Sequence, residues 1–169
     1  MLFQETFLSL WYWIFVILFW GVICNYTFGV PNELLMRARR SEEEGDLFDR
    51  YARRNLAMFG RAIRRRAAIA AAVAAFVVAA VGTLAFWRGQ EQAMGVFVVV
   101  APLAALWLWG GRMIAKLDAE RPDPERLRRA FMFERRLTGV VAGLSMVAAI
   151  FAATARHGPG WTEALFRGF

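Results

Sequence analysis

The chain holds one cysteine, Cys24, and one histidine, His157, among its 169 residues. A lone thiol excludes an internal disulfide framework, and one Cys with one His cannot fill a four-ligand zinc site. The same count excludes an iron–sulfur cluster, which takes four thiolates, and bis-histidine haem ligation within one copy. No metal ligand set and no cofactor site is therefore expected. Charge is also missing, but only locally. Four long stretches carry none, and the 21 basic and 14 acidic side chains lie almost entirely between them.

Crossing about 30 Å of hydrocarbon takes roughly 20 apolar residues in a helix. Thr6 to Asn32 is uncharged, with the core FLSLWYWIFVILFWGVICNYTFGV; Ala67–Trp87, Gln92–Gly111 and Leu137–Ala155 follow. Hydrophobic residues make up 59 % of the chain, against roughly 45–50 % in soluble domains. The expected fold is all-α: a polytopic membrane protein with four transmembrane helices and short cytoplasmic helical extensions. The spans are placed at about 7–29, 67–87, 92–111 and 137–155, within one domain over 1–169. The first run does not read as a cleaved signal peptide. Only Glu5 is charged before it, it is too long, and it ends in bulky residues.

Basic residues concentrate in cytoplasmic loops. Loop 31–66 carries ten Arg, and loop 112–136 carries seven Arg and Lys116, together 18 of the 21 basic residues. Both termini are then expected on the periplasmic side of a bacterial inner membrane. The short link between spans two and three predicts a tight antiparallel helical hairpin. The formal charge of +7 reads as topology and attraction to anionic headgroups, not as nucleic-acid binding, because no nucleic-acid-binding motif accompanies it.

Within the first loop, Asp46–Arg66 reads as a helix. Phe48, Ala52, Leu56, Phe59 and Ile63 recur at three- and four-residue steps, while Arg50, Arg54, Arg61 and Arg65 fall on another face. Such a basic amphipathic helix contacts lipid headgroups on the first reading and a cytoplasmic partner protein on the second. Ser41 has capping-box spacing to Glu44, although Gly45 follows it. In the second loop, Asp123 is a candidate N-cap, with Pro124 at the first helical position and Glu125 at the positive helix end. From there a helix should run into the fourth span, leaving no substantial domain outside the membrane.

The spans themselves carry no Asp, Glu, Lys, Arg or His, which argues against a proton relay or an intramembrane protease. Asn25 is expected to hydrogen-bond between helices. Gly139 and Gly143 form a GxxxG, and Ala70–Ala74 with Ala71–Ala75 form ridges that permit close helix packing. Pro102 should kink the third span. The first span is bulky on all sides (Trp11, Tyr12, Trp13, Phe15, Phe19, Trp20), so part of it is expected to face lipid, pigment or a partner. No P-loop, catalytic Ser motif or paired-carboxylate site is present, and the expected protein is not an enzyme.

The stretch SLWYWIFVILFWGVICNYTFGVPNELLMRARR resembles a family of alphaproteobacterial inner-membrane proteins with an LWYWI start, a GVP turn and a following RARR. The likeness continues more loosely through RRNLAMFGRAI and GQEQAMGVFVVVAPLAALWLWGGR, about two-thirds of the chain, and the tail after Thr138 is unshared. Members commonly carry the label "component of SufBCD complex", the iron–sulfur cluster assembly scaffold. The resemblance implies a partnership with that machinery; it supplies no activity and no site residues. The expected function is a non-catalytic membrane anchor or accessory subunit of a larger complex, serving Suf-type assembly or a respiratory or photosynthetic complex. The alternative is a small oligomeric transporter or channel, with Asn25, Thr27 and Ser145 lining a path.

Overall fold

The computed structural model describes residues 6–163 and is almost wholly helical. Glu5 and Arg167, which flank the first run and the tail, lie outside the described residues. A 3-10 turn, Thr6–Leu8, leads into α1, Leu10–Asn25. Two-residue strands β1, Tyr26–Thr27, and β2, Val30–Pro31, form a small antiparallel hairpin before α2, Asn32–Arg37. Three long helices follow: α3, Glu42–Gly82; α4, Glu91–Glu120; and α5, Pro124–His157. A π-helical turn, Thr83–Trp87, ends α3 and leads into the link to α4.

Three helices are long and apolar enough to cross a membrane: the C-terminal half of α3 from Arg65, α4, and α5. Helix α1 is equally apolar but has only 16 residues, about 24 Å at 1.5 Å per residue. It stops short of the expected 7–29 because the chain reverses at Phe28 and Gly29. Both have positive φ, 51° and 74°, the pattern of a tight primed hairpin turn. Asn55 Nδ2 donates to Gly29 O at 3.1 Å, and the Phe28 ring meets Phe131 edge-on at 5.1 Å. The hairpin tip is thus seated on α3 and α5.

Helix α3 starts at Glu42, four residues earlier than the apolar stripe alone suggests, because Ser41 Oγ accepts from Glu44 N at 3.2 Å. It then runs unbroken for 41 residues, about 62 Å. Asp123 caps α5 as its sequence position implies, accepting from Arg126 N at 3.1 Å with Pro124 in the first turn. Antiparallel α3 and α4 approach closely at two levels, midway along α3 and at its C-terminal end. A Cβ on Gly82 would stand 3.0 Å from Phe97, and one on Gly60 would stand 2.7 Å from Asp118. Pro102 lies inside a continuous α4.

Packing divides into three clusters along the bundle. At the end holding the described termini, Phe7, Ala153 and Trp161 are buried together, and Trp13 stacks on Trp161 at 5.2 Å. In the middle, Val16 and Trp20 of α1 pack against Val99 and Leu106 of α4 and Ala142 of α5. At the basic end, Phe48, Ala52 and Leu56 of α3 bury against Leu127 and Phe131 of α5, Ile114 and Leu117 of α4, and Val30 and Leu35. This last cluster is a small core of its own. The charged segments thus pack on one another through this cluster.

Candidate binding cavity and basic face

The buried face of α5 is Leu127, Phe131, Glu134, Thr138, Ala142, Ser145, Ala149 and Ala153. The steps are three or four residues throughout, one stripe of a helix packed on its neighbours. Most members are apolar or small. Glu134 is neither, yet its relative exposure is 5 %. The Trp109 side chain hydrogen-bonds its carboxylate, while Oε2 is buried without a hydrogen-bond partner. A buried carboxylate lacking full pairing costs several kcal/mol (roughly) unless something completes it.

Glu134 lines a half-open cavity of about 730 Å³ bordered by α3, α4, α5 and the hairpin. Ala67, Ala70 and Ala71 of α3 give it one wall, and Leu103, Leu106 and Trp107 of α4 another. The alanines leave room that longer side chains would fill. Phe28 and Gly29 close the hairpin side, and Thr138 lies one turn along α5 from Glu134. Arg66 and Arg112 also line it; both are exposed and mark its rim. One deeply buried carboxyl, which burial pushes above the ordinary value and the Trp109 hydrogen bond pulls back, and two rim cations thus border an otherwise apolar space.

A second surface is the outer face of α3. Arg50, Arg54, Arg61 and Arg65 are all exposed, as are Leu47, Tyr51 and Met58 at intervening helical positions. Phe59 is 38 % exposed, one edge resting near Gly29. Phe48 differs. It is fully buried and meets Phe131 edge-on at 5.3 Å, so as a lipid or partner contact it is corrected: its stripe of α3 is turned into the chain's own core.

Three other expected positions are also relocated. Asn25 is exposed at the last position of α1 and does not join helices; Asn32 does that work, donating from Nδ2 to Cys24 O and accepting at Oδ1 from Thr27 Oγ1. Gly139 and Gly143 face open space, with nothing within 4 Å of an added Cβ, so they pack against none of the described helices. Ser145 is buried and donates to Val98 O at 2.7 Å, a bond between α5 and α4. Thr27 and Ser145 are each occupied in separate local bonds and form no shared polar path with Asn25.

Sequence reasoning also passed over two buried polar sites at helix ends. Glu91 Oε1 accepts from Phe7 N at 2.7 Å, and Oε2 lies 3.1 Å from His157 Nε2. Asp49 is buried beside Arg128, whose Nε is 3.8 Å from Oδ1; burial pushes its carboxyl above the ordinary value, while Arg128 and Arg53 pull it down. Comparison with family models, curated proteins and solved structures finds no match to this chain.

Proposed function

We propose that the chain is a four-span membrane protein of a bacterial inner membrane, with both termini periplasmic, acting as a non-catalytic anchor or accessory subunit. The three long apolar helices support the membrane reading. Packing of α1 against α4 and α5 in the middle cluster supports α1 as the fourth span, its length made up by the 3-10 turn and the hairpin. The Arg-rich segments gather at the opposite end from the described termini, as a positive-inside arrangement requires.

The observation that carries the accessory role is the exposed Arg50, Arg54, Arg61 and Arg65 face on a helix continuous with a span. Leu47, Tyr51 and Met58 stand exposed between these arginines, the mix of Arg, aromatic and Met side chains that protein interfaces favour. A cytoplasmic protein bearing carboxylates suits it better than headgroups alone, while anionic lipid remains the partner of the remaining loop cations. Nucleic acid has no support beyond net charge. The Suf-type assembly machinery enters through the resemblance of the N-terminal two-thirds, and a respiratory or photosynthetic complex fits the residues equally. The oligomeric transporter draws less support, because the Thr27 and Ser145 hydroxyls are both engaged.

The test is purification from native membranes in mild detergent, with mass spectrometry of bound proteins, for the wild type and the Arg50→Glu/Arg54→Glu/Arg61→Glu variant. A partner held stoichiometrically by the wild type should be released by the charge reversal while the variant stays in the membrane. Recovery of the wild type alone, or equal partner retention by both proteins, overturns the docking role.

A further inference from the structure

The cavity beside Glu134 is bordered by a buried carboxyl and two arginines, and the packing of the fold gives no reason for the carboxyl. The buried carboxylate adds nothing to packing; an apolar residue of similar volume would serve α5 better. Arg66 and Arg112 are the first and last basic residues next to two apolar runs, and both reach the same space. Its volume of about 730 Å³ falls within the roughly 300–1,000 Å³ typical of small-ligand sites. That accommodates a polar head and part of a hydrocarbon chain.

We propose that this cavity binds one zwitterionic phospholipid with a primary-ammonium head, its ammonium at the Glu134 carboxylate, its phosphate at Arg66 and Arg112, and an acyl chain against Ala67, Ala71 and Trp107. The choice of head follows from the chemistry. An ammonium brings three donors and a full positive charge to a carboxylate that the fold leaves incompletely paired. An anionic lipid would satisfy the two arginines and leave Glu134 bare. A quinol would offer hydroxyls to Glu134 and nothing to the arginines. Only the zwitterion serves all three side chains, so the bound lipid would tie α3, α4 and α5 together where the apolar runs meet the basic core. The inference rests on the membrane-spanning reading given above.

The experiment uses the full-length protein in detergent micelles, stripped of endogenous lipid and titrated with phosphatidylethanolamine or phosphatidylglycerol, bound lipid being counted by native mass spectrometry. The wild type should take up one phosphatidylethanolamine per chain, about tenfold more tightly than phosphatidylglycerol. Glu134→Gln, nearly isosteric, should abolish that preference while keeping the helical circular dichroism of the wild type. Ala71→Trp, which fills the cavity without touching a charge, should lose the bound lipid. Equal uptake of the two lipids by the wild type, or an unchanged preference in Glu134→Gln, overturns the proposal; so does displacement of the lipid by a ubiquinol of matched chain length at equal concentration. Retention in alkaline-washed membranes is scored separately. Failure there removes the spanning reading, while the lipid preference in micelles still decides the cavity.

Discussion

The carboxylate of Glu91, the first residue of α4, lies 3.1 Å from the imidazole of His157, the last residue of α5. The other oxygen of the same carboxylate takes the Phe7 amide at 2.7 Å. One buried acid therefore closes the bundle at this end, joining the N-terminal turn to two helices. Arg156 reinforces the closure by donating to Gly89 O at 2.7 Å in the α3–α4 link.

Replacing that acid should loosen three elements at once. Glu91→Ala leaves the Phe7 amide and His157 without their acceptor, a loss of about 1.5–3 kcal/mol for a hydrogen bond to a charged group. Thermal unfolding in detergent, followed by circular dichroism, should show a lower midpoint. His157→Ala should cost less, because the Phe7 bond survives.

Phe48→Ala and Phe59→Ala should differ sharply although both belong to the same sequence stripe. Phe48 is fully buried against Phe131, and its truncation should cost about 3–5 kcal/mol. Phe59 is partly exposed, and its loss should cost a small fraction of that. Equal destabilisation in chemical unfolding would contradict the inward orientation of the Phe48 face.

Asp49 supplies a pH dependence with a definite sign. Its folded carboxyl binds a proton more tightly than in the unfolded chain, chiefly through burial, with Asp46 adding to the effect and Arg128 and Arg53 opposing it. The folded state therefore holds more protons, and stability falls as pH rises from the ordinary Asp value near 3.8 through the raised folded value. Below that window the term is fully present. Asp49→Asn should remove it, so the wild type should gain stability relative to the variant on acidification through this range, as read by paired melts.

Gly29 occupies left-handed backbone, φ 74°, and an added Cβ would stand 3.0 Å from Phe59. Gly29→Ala should destabilise the protein by about 1–2 kcal/mol. Gly139→Ala, by contrast, meets nothing within 4 Å and should leave the melting midpoint of the isolated chain unchanged or slightly higher, since alanine is the better helix former.

Much of this architecture is written in local pattern. The uncharged runs, the Asp123–Pro124 helix start and the short α3–α4 link each follow from neighbouring residues alone. What escapes is which partner a face chooses. The Phe48–Leu56 stripe looks identical whether it meets lipid or α5, because periodicity reports a face and not its neighbour. Asn25 and Asn32 flank the same hairpin, and only the reversal at Phe28–Gly29 decides which one turns inward. Glu134 could have been found: it keeps the three- and four-residue rhythm from Phe131 to Thr138 and Ser145, an acid in step with a buried stripe. Beside Arg135 and Arg136 it looked like ordinary loop charge.

Helix α3 has one further property. It carries the exposed arginines near one end and the apolar run near the other, with 41 residues of unbroken backbone hydrogen bonding between them. Such a rod resists bending, since a sharp kink needs a break in its hydrogen-bond ladder. The hairpin tip is held by Asn55 about a third of the way along. A force applied at Arg50 is therefore passed whole to the apolar run and to α4 packed along it, with no joint on the way to absorb it.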